Sequence, residues 1–321
     1  MAERIETLAR YWGAACSGAL ALSLAACAPA LAPAGIENAT PAITADSFVT
    51  RDGLHLPLKE WDAKSPRAVI VALHGMSDYS EAFEMPAPWW AEHGITTIAY
   101  DQRGFGRAPN PWLWAGAEIM RNDLDDCVDA ARAKFPGVPV IALGESMGGA
   151  VLLSALASER VPRVDGAVLV APAVWSRDDM PFSYRVTLWL AAHTVPWLHV
   201  SGNGLHIVPS DNIPMLRKLS RDPLFQHDSR VDQVYGLVDL MDQARSAPAR
   251  LSDPPPILLV YGAKDQIIPE APTEAVVAAL GAHAEERHYP EGYHMLLRDL
   301  DGAAVWKDIA DWIAKRRDAR S

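Results

Sequence analysis

Three things are scarce in this sequence. Cysteine occurs only three times in 321 residues, at Cys16, Cys27 and Cys127, and that spacing suits neither a zinc site nor a disulfide framework. Positive charge is in deficit, with 29 Lys and Arg against 40 Asp and Glu and a net charge of −11. Binding phosphates needs a clustered basic excess, so no nucleic-acid partner is expected, and the short C-terminal run KRRDAR reads as a solvated helix end. An apolar run long enough to span a bilayer is also missing. The charge-free stretch from Tyr11 to Ala26 falls short of the ~20 residues a spanning helix needs. Internal repeats are absent as well. What is present is enough for a sizeable core: half the residues are hydrophobic and 21% are charged, which excludes a disordered chain.

Arg4 and Arg10 precede the apolar stretch, whose length suits a signal-peptide core. Leu24-Ala25-Ala26-Cys27 resembles the lipobox of bacterial lipoproteins, whereas Cys16 has Gly13 where the leucine belongs. The resemblance implies cleavage before Cys27 and a diacylglyceryl chain on its sulfur, a combination that anchors firmly. The expected organisation is a signal peptide over 1–26, a lipidated Pro-, Ala- and Thr-rich tether over 27–47, and a folded domain over 48–321. The expected location is the bacterial cell envelope, lipid-anchored. Ala28 gives no inner-membrane retention signal, so the outer membrane is favoured.

Beyond Phe48, short apolar runs alternate with helical stretches. RAVIVALHG (67–75), GITTIAYD (94–101), VPVIALG (138–144), VDGAVLVAP (164–172) and PPILLVYG (255–262) each end in Gly, Pro or Asp. Runs of this kind separated by helices predict an α/β fold with a mostly parallel central sheet buried on both faces. Residues 117–135 place Met120, Leu124, Cys127, Val128 and Ala131 at helical spacing, which makes Cys127 a packing residue. The alternation fails once, over about 173–253, where helix-like segments without a buried strand predict a cap inserted above the sheet.

The chemistry centres on Gly144-Glu145-Ser146-Met147-Gly148. A strand, a sharp Gly-x-Ser-x-Gly turn and a helix thrust the serine hydroxyl above the sheet. A serine is a weak nucleophile at neutral pH and requires a base held by an acid, both at the carboxyl ends of strands. Asp265, just past the strand ILLVYG, and His294, on the loop after a short strand around 286–289, supply them in the order Ser, Asp, His. Asp178 or Asp179 is the alternative acid and His288 the alternative base. For the oxyanion of an acyl-transfer intermediate, the backbone N–H of Met76 pairs with that of Met147. His74 is read as a support for the first turn.

Together, LHGMSDYS, YDQRGFGRA, GESMGGAV, VYGAKDQIIP and PEGYHMLLRD resemble, in order and rough spacing, the α/β-hydrolases of the monoacylglycerol lipase and bacterial lysophospholipase type, a group also labelled serine-aminopeptidase-like. The resemblance runs from about Phe48 to Ile313. It implies an α/β-hydrolase fold with a helical cap, Ser146 as nucleophile, Asp265 as acid, His294 as base, Met76 and Met147 as oxyanion donors, and no cofactor or metal. Asp101 and Arg103 then belong to an architectural turn. The insertion carries Trp175, Trp189 and Trp197 but no Glu between Pro172 and Pro254. A peptidase acting on free amino termini needs an acid for the ammonium, whereas an aromatic cap suits acyl chains, whose burial contributes ~0.8 kcal/mol per methylene. The expected function is therefore hydrolysis of carboxylic esters, of monoacylglycerol or lysophospholipid, with a membrane reached through the lipid anchor. The alternatives are a peptidase or amidase on the same residues, or a catalytically silent membrane-anchored binding protein.

Overall fold

The computed structural model describes residues 28–202, 204 and 206–318; the expected signal peptide and Cys27 lie outside them. A nine-stranded sheet organises the molecule. Its strands are β1 (Ala42–Ile43), β2 (Ser47–Val49), β3 (His55–Trp61), β4 (Ala68–Leu73), β5 (Ile95–Tyr100), β6 (Val140–Glu145), β7 (Gly166–Val170), β10 (Ile257–Gly262) and β11 (Ala284–Tyr289), in the order β1-β2-β3-β5-β4-β6-β7-β10-β11. From β5 to β11 every pairing is parallel, while β1, β2 and β3 join antiparallel. Every residue of β4, β5, β6, β7 and β10 is buried, because helices cover both faces of a parallel sheet.

Side chains alternate between two cores, as the strand period of two requires. On one face Val69, Val71 and Leu73 of β4 meet helices α2 (Ala117–Lys134), α3 (Met147–Leu156), α6 (Val231–Ser246) and α7 (Glu270–Leu280) through Leu124, Val151, Met241 and Val276. On the other, Ile70 and Ala72 meet α1 (Pro86–Glu92) and α8 (Gly302–Asp318) through Trp90, Ile309 and Trp312. Cys127 packs on α2 as expected, and burial raises its thiol pKa, keeping it protonated and unreactive.

Between β7 and β10 lies the inserted region, with α4 (Phe182–Thr194), α5 (Ile213–Leu219), and a two-residue ladder of exposed β8 (His199–Val200) with half-buried β9 (Ser229–Arg230). Its last helix, α6, is part of the main core through Val238, Leu240, Met241 and Ala244, so only the portion before it stands over the sheet.

The folded body starts earlier than Phe48. Ala42 and Ile43 pair with β2. Further back, Ala32 N–H donates to the Trp114 carbonyl at 2.8 Å, Asn38 and Ala39 N–H to the Arg51 carbonyl, and Ala30 N–H to Asp232 Oδ2 at 3.2 Å. An extended Pro- and Ala-rich segment has free backbone donors, and nearby carbonyls and a carboxylate satisfy them. That docking needs no side-chain periodicity, so no pattern announced it.

The turn after β5 is architectural. Arg103 is buried and makes paired hydrogen bonds of 2.7–2.8 Å to both Asp52 and Asp123, while Asp101 accepts from the N–H groups of Ser80 and Arg107. Hydrogen bonds from Arg103 hold the Asp52 carboxyl below the usual carboxylate range, against the effect of burial. A depressed folded pKa means that this contribution to stability is fully present above about pH 4 and is lost as pH falls. Arg103→Met leaves two buried carboxylates facing one another, and a loss of about 3–5 kcal/mol is expected in urea unfolding at neutral pH; a loss under about 1 kcal/mol would contradict the architectural role.

Candidate active site

The turn between β6 and α3 places Ser146 in a backbone conformation that side chains rarely adopt, φ 53° and ψ −114°. Bulk on either side would prevent it. A Cβ on Gly144 would lie 2.3 Å from the Gly148 carbonyl oxygen, and one on Gly148 would lie 2.2 Å from that of Leu73. The corner is pinned by Ser146 N–H donating to the Val170 carbonyl and by Ala173 N–H donating to the Ser146 carbonyl, both at 2.9 Å. Met147 opens α3, so its N–H is among those at the helix start that lack an intrahelical acceptor, where the dipole is positive.

Asp265 sits on the turn after β10, with its side chain fully buried. One carboxylate oxygen accepts from the N–H groups of Ile267 and Ile268, at 2.7 and 3.0 Å, and the other takes Nδ1 of His294 at 2.7 Å. With Nδ1–H directed at a carboxylate, Nε2 is the ring nitrogen left to accept a proton. His294 is held further by its loop: Met295 N–H donates to the Pro209 carbonyl, and Tyr293 N–H to Asp299, which also takes the Ser210 hydroxyl at 2.6 Å. Ser146 and His294 face a common cavity of about 300 Å³ that Gly75, Met76, Pro209, Phe225, Ile267 and Met295 also line.

His74 supports the loop carrying Met76. Its Nε2 accepts from Gln102 N–H at 2.9 Å, so the proton is on Nδ1, which donates to the Gly75 carbonyl at 2.8 Å. Burial lowers its pKa and keeps this neutral form. The Gly75 carbonyl is thereby turned toward His74, which fixes the peptide ahead of Met76. Gly75 approaches the nucleophile elbow so closely that a Cβ there would stand 3.2 Å from Ser146 Cβ.

The alternatives lie elsewhere. His288 is on β11, next to exposed Glu270. Asp178 and Asp179 line a separate charged cleft with Arg177, Arg185 and Asp242. Of the three cap tryptophans, Trp175 is partly buried against the core, and Trp189 and Trp197 are exposed; none lines the cavity. The apolar side chains that do line it include Met76, Phe225, Ile267 and Met295. Among the described residues, no three His, Cys, Asp or Glu side chains are grouped as a metal site needs.

One feature escaped sequence reasoning. Arg298, buried, lies 2.7 Å from Asp78 Oδ2 and 3.4 Å from Glu145 Oε2, and all three line the cavity. Burial acts to lower the Arg298 pKa, but Asp78 and Glu145 raise it above its ordinary value. Burial pushes Glu145 up despite the guanidinium. Its signal was in plain view: an acid inside a buried Gly-x-Ser-x-Gly turn requires a cationic partner.

The family model for serine aminopeptidase, S33, matches residues 64–301. The chain belongs to that family. Full-length relatives of this S33 chain include a monoacylglycerol lipase from Mycolicibacterium smegmatis, 25% identical and covering 83% of this chain and 95% of its own, and the human monoglyceride lipase, 24% identical over 84% and 90%. In three dimensions it resembles a soluble variant of the monoglyceride lipase of Saccharomyces cerevisiae, with a TM-score of 0.71 and 19% identity over 89% of this chain and 99% of that one. The fold is that of an α/β-hydrolase, and carboxylic ester hydrolases stand among its relatives along nearly their whole length.

Close backbone contact at the elbow generates a direct expectation. Gly148→Ala drives a Cβ into the Leu73 carbonyl of the central strand, which should cost about 1–3 kcal/mol and displace Ser146. A lower unfolding midpoint together with at least roughly tenfold slower p-nitrophenyl ester turnover is expected; unchanged values of both would refute the contact.

Proposed function

We propose that the chain hydrolyses carboxylic esters through Ser146, His294 and Asp265, with monoacylglycerol or lysophospholipid as substrate. The observation that carries this reading is the 2.7 Å bond from His294 Nδ1 to buried Asp265, made by a histidine that shares its cavity with Ser146. In the proposed cycle His294 Nε2 takes the Ser146 proton as Oγ attacks the ester carbonyl. Asp265 orients the ring and stabilises the imidazolium. The N–H groups of Met76 and Met147 receive the oxyanion, and the proton returned by His294 releases the alcohol. Water, activated by the same histidine, then hydrolyses the acyl-enzyme. The apolar wall of Met76, Phe225, Ile267 and Met295 supports an acyl chain in the cavity, and the names of the full-length relatives support a monoacylglycerol.

Aminopeptidase or amidase action is the second reading, and one observation favours it. Asp78 and Glu145 supply two carboxylates beside Ser146 against one guanidinium, which leaves negative charge for a substrate ammonium. Against it, Arg298 is already the counter-ion that both carboxylates face, and a free amino terminus has to compete with it.

Ser146→Ala should reduce p-nitrophenyl ester turnover by roughly 10³-fold or more with an unaltered unfolding midpoint, and should abolish labelling by a fluorophosphonate. Retained turnover in the purified variant would sink the assignment, and an unlabelled wild-type chain would point to a silent binding protein. Monoacylglycerols, lysophospholipids and aminoacyl amides assayed side by side separate the substrates.

For the location, we propose the cell envelope, through acylation of Cys27. Metabolic fatty-acid labelling is expected to disappear in Cys27→Ser, and equal labelling of both chains would disprove it.

A further inference from the structure

Arg298 ends the 3₁₀ turn Leu296–Arg298 that follows His294 in the chain. Leu296 and Leu297 are buried in the core shared with α1 and α8, beside Trp90 and Ile309. Apolar packing therefore seats the turn, and the arginine next in sequence is carried inside with it. A buried guanidinium is retained only beside counter-charges. Those of Arg298 come from two other strand ends: Asp78 lies on the loop after β4, just beyond Met76, and Glu145 closes β6 immediately before Ser146.

One nitrogen serves both acids. Arg298 Nη2 lies 2.7 Å from Asp78 Oδ2 and 3.4 Å from Glu145 Oε2. Asp78 is itself fixed, because its Oδ1 accepts from Tyr79 N–H at 3.0 Å. The backbone around Arg298 is gripped from the inserted region instead. Asn212, the N-cap of α5, donates through Nδ2 to the Arg298 carbonyl at 2.9 Å, and Met295 N–H donates to the Pro209 carbonyl at 2.9 Å. Arg298 thus joins the insertion, the His294 loop, the Met76 loop and the elbow. Asp265 holds one atom of the His294 ring, Nδ1. Where Nε2 stands against Ser146 then depends on where the loop backbone lies, and a displacement of about 1 Å in such a constellation costs roughly 10²-fold in rate.

We infer that Arg298 is a positioning residue for hydrolysis at Ser146, holding the His294 loop in register with the elbow and with the Met76 loop through Nη2. It acts through His294 and the oxyanion donors, not on the substrate. The inference rests on the ester reading for its kinetics, and a proton resonance of the His294 ring tests it without turnover.

The test compares the full chain with Arg298→Met, Arg298→Lys and Glu145→Gln, using p-nitrophenyl butyrate well below each unfolding midpoint. Losing a positioning contact lowers kcat and kcat/KM together. Arg298→Met should lose at least about tenfold in kcat, with KM within about twofold of the parent. In Arg298→Lys an ammonium can stand between the same two carboxylates, so most of that loss should be recovered. Glu145→Gln severs only the link to the elbow and should lose at least about threefold in kcat at unchanged KM. The downfield proton resonance of the His294–Asp265 bond, identified by its absence in His294→Gln, should move or broaden in Arg298→Met and return in Arg298→Lys. Unchanged kcat in Arg298→Met overturns the inference. A loss carried by KM makes the cluster a substrate contact, and a Lys variant as slow as the Met variant makes it packing; both also overturn it. Should Arg298→Met unfold, Glu145→Gln decides, and parental kcat there refutes the positioning role. A parent chain without ester turnover refutes the ester reading instead. The resonance then decides the inference, which falls if Arg298→Met, or Glu145→Gln in its place, leaves the signal unmoved.

Discussion

Everything at the site depends on one tolerated strain, the positive φ of Ser146. A non-glycine residue in such a conformation costs of order 1–3 kcal/mol and persists only where its surroundings over-determine it. Here they do. Strand β6 is buried along its length, α3 has no exposed residue, and Gly144 and Gly148 let strand and helix backbones touch where any side chain would hold them apart. Packing on both faces of the sheet is the source of the stability that the corner consumes.

Loops from four other strand ends gather around that corner, and polar contacts join them. His74 locks the turn after β4 to the turn after β5 through Gln102, Asp265 fixes the ring of His294, and Arg298 links the His294 loop to Asp78 and to Glu145 of the elbow. Buried charges cost heavily unless paired, so the Arg298 cluster is a fastening that tolerates little displacement. It also gives the cavity charged lining residues, Asp78, Glu145 and Arg298, besides its apolar ones.

Much of this was legible in advance. The five central strands, helix 117–134 and the inserted cap were readable because buried parallel strands and amphipathic helices impose composition and period on the residues that form them. The positions of Ser146, Asp265 and His294 on turns after strands were readable because the elbow has its own glycine pattern and the two candidate partners follow strand ends. The docked segment before Phe48 was not, since its backbone donors bond to carbonyls and a carboxylate irrespective of which side chains it carries. The cap tryptophans were misplaced for a related reason: helical spacing of large apolar residues specifies a face but not what the face meets.

The amino-acid sequence by itself determined the layers, the strained serine corner and the chain order of the three candidate catalytic residues, all consequences of local pattern and backbone sterics. Only the tertiary structure decided which aromatic side chains line the cavity and which meet solvent, that Arg298 answers Glu145 across 153 positions, and that the segment around Ala30–Ala39 docks on the folded body. Those are relations between residues far apart in the chain. They follow from how the packed elements meet, and no local period records that.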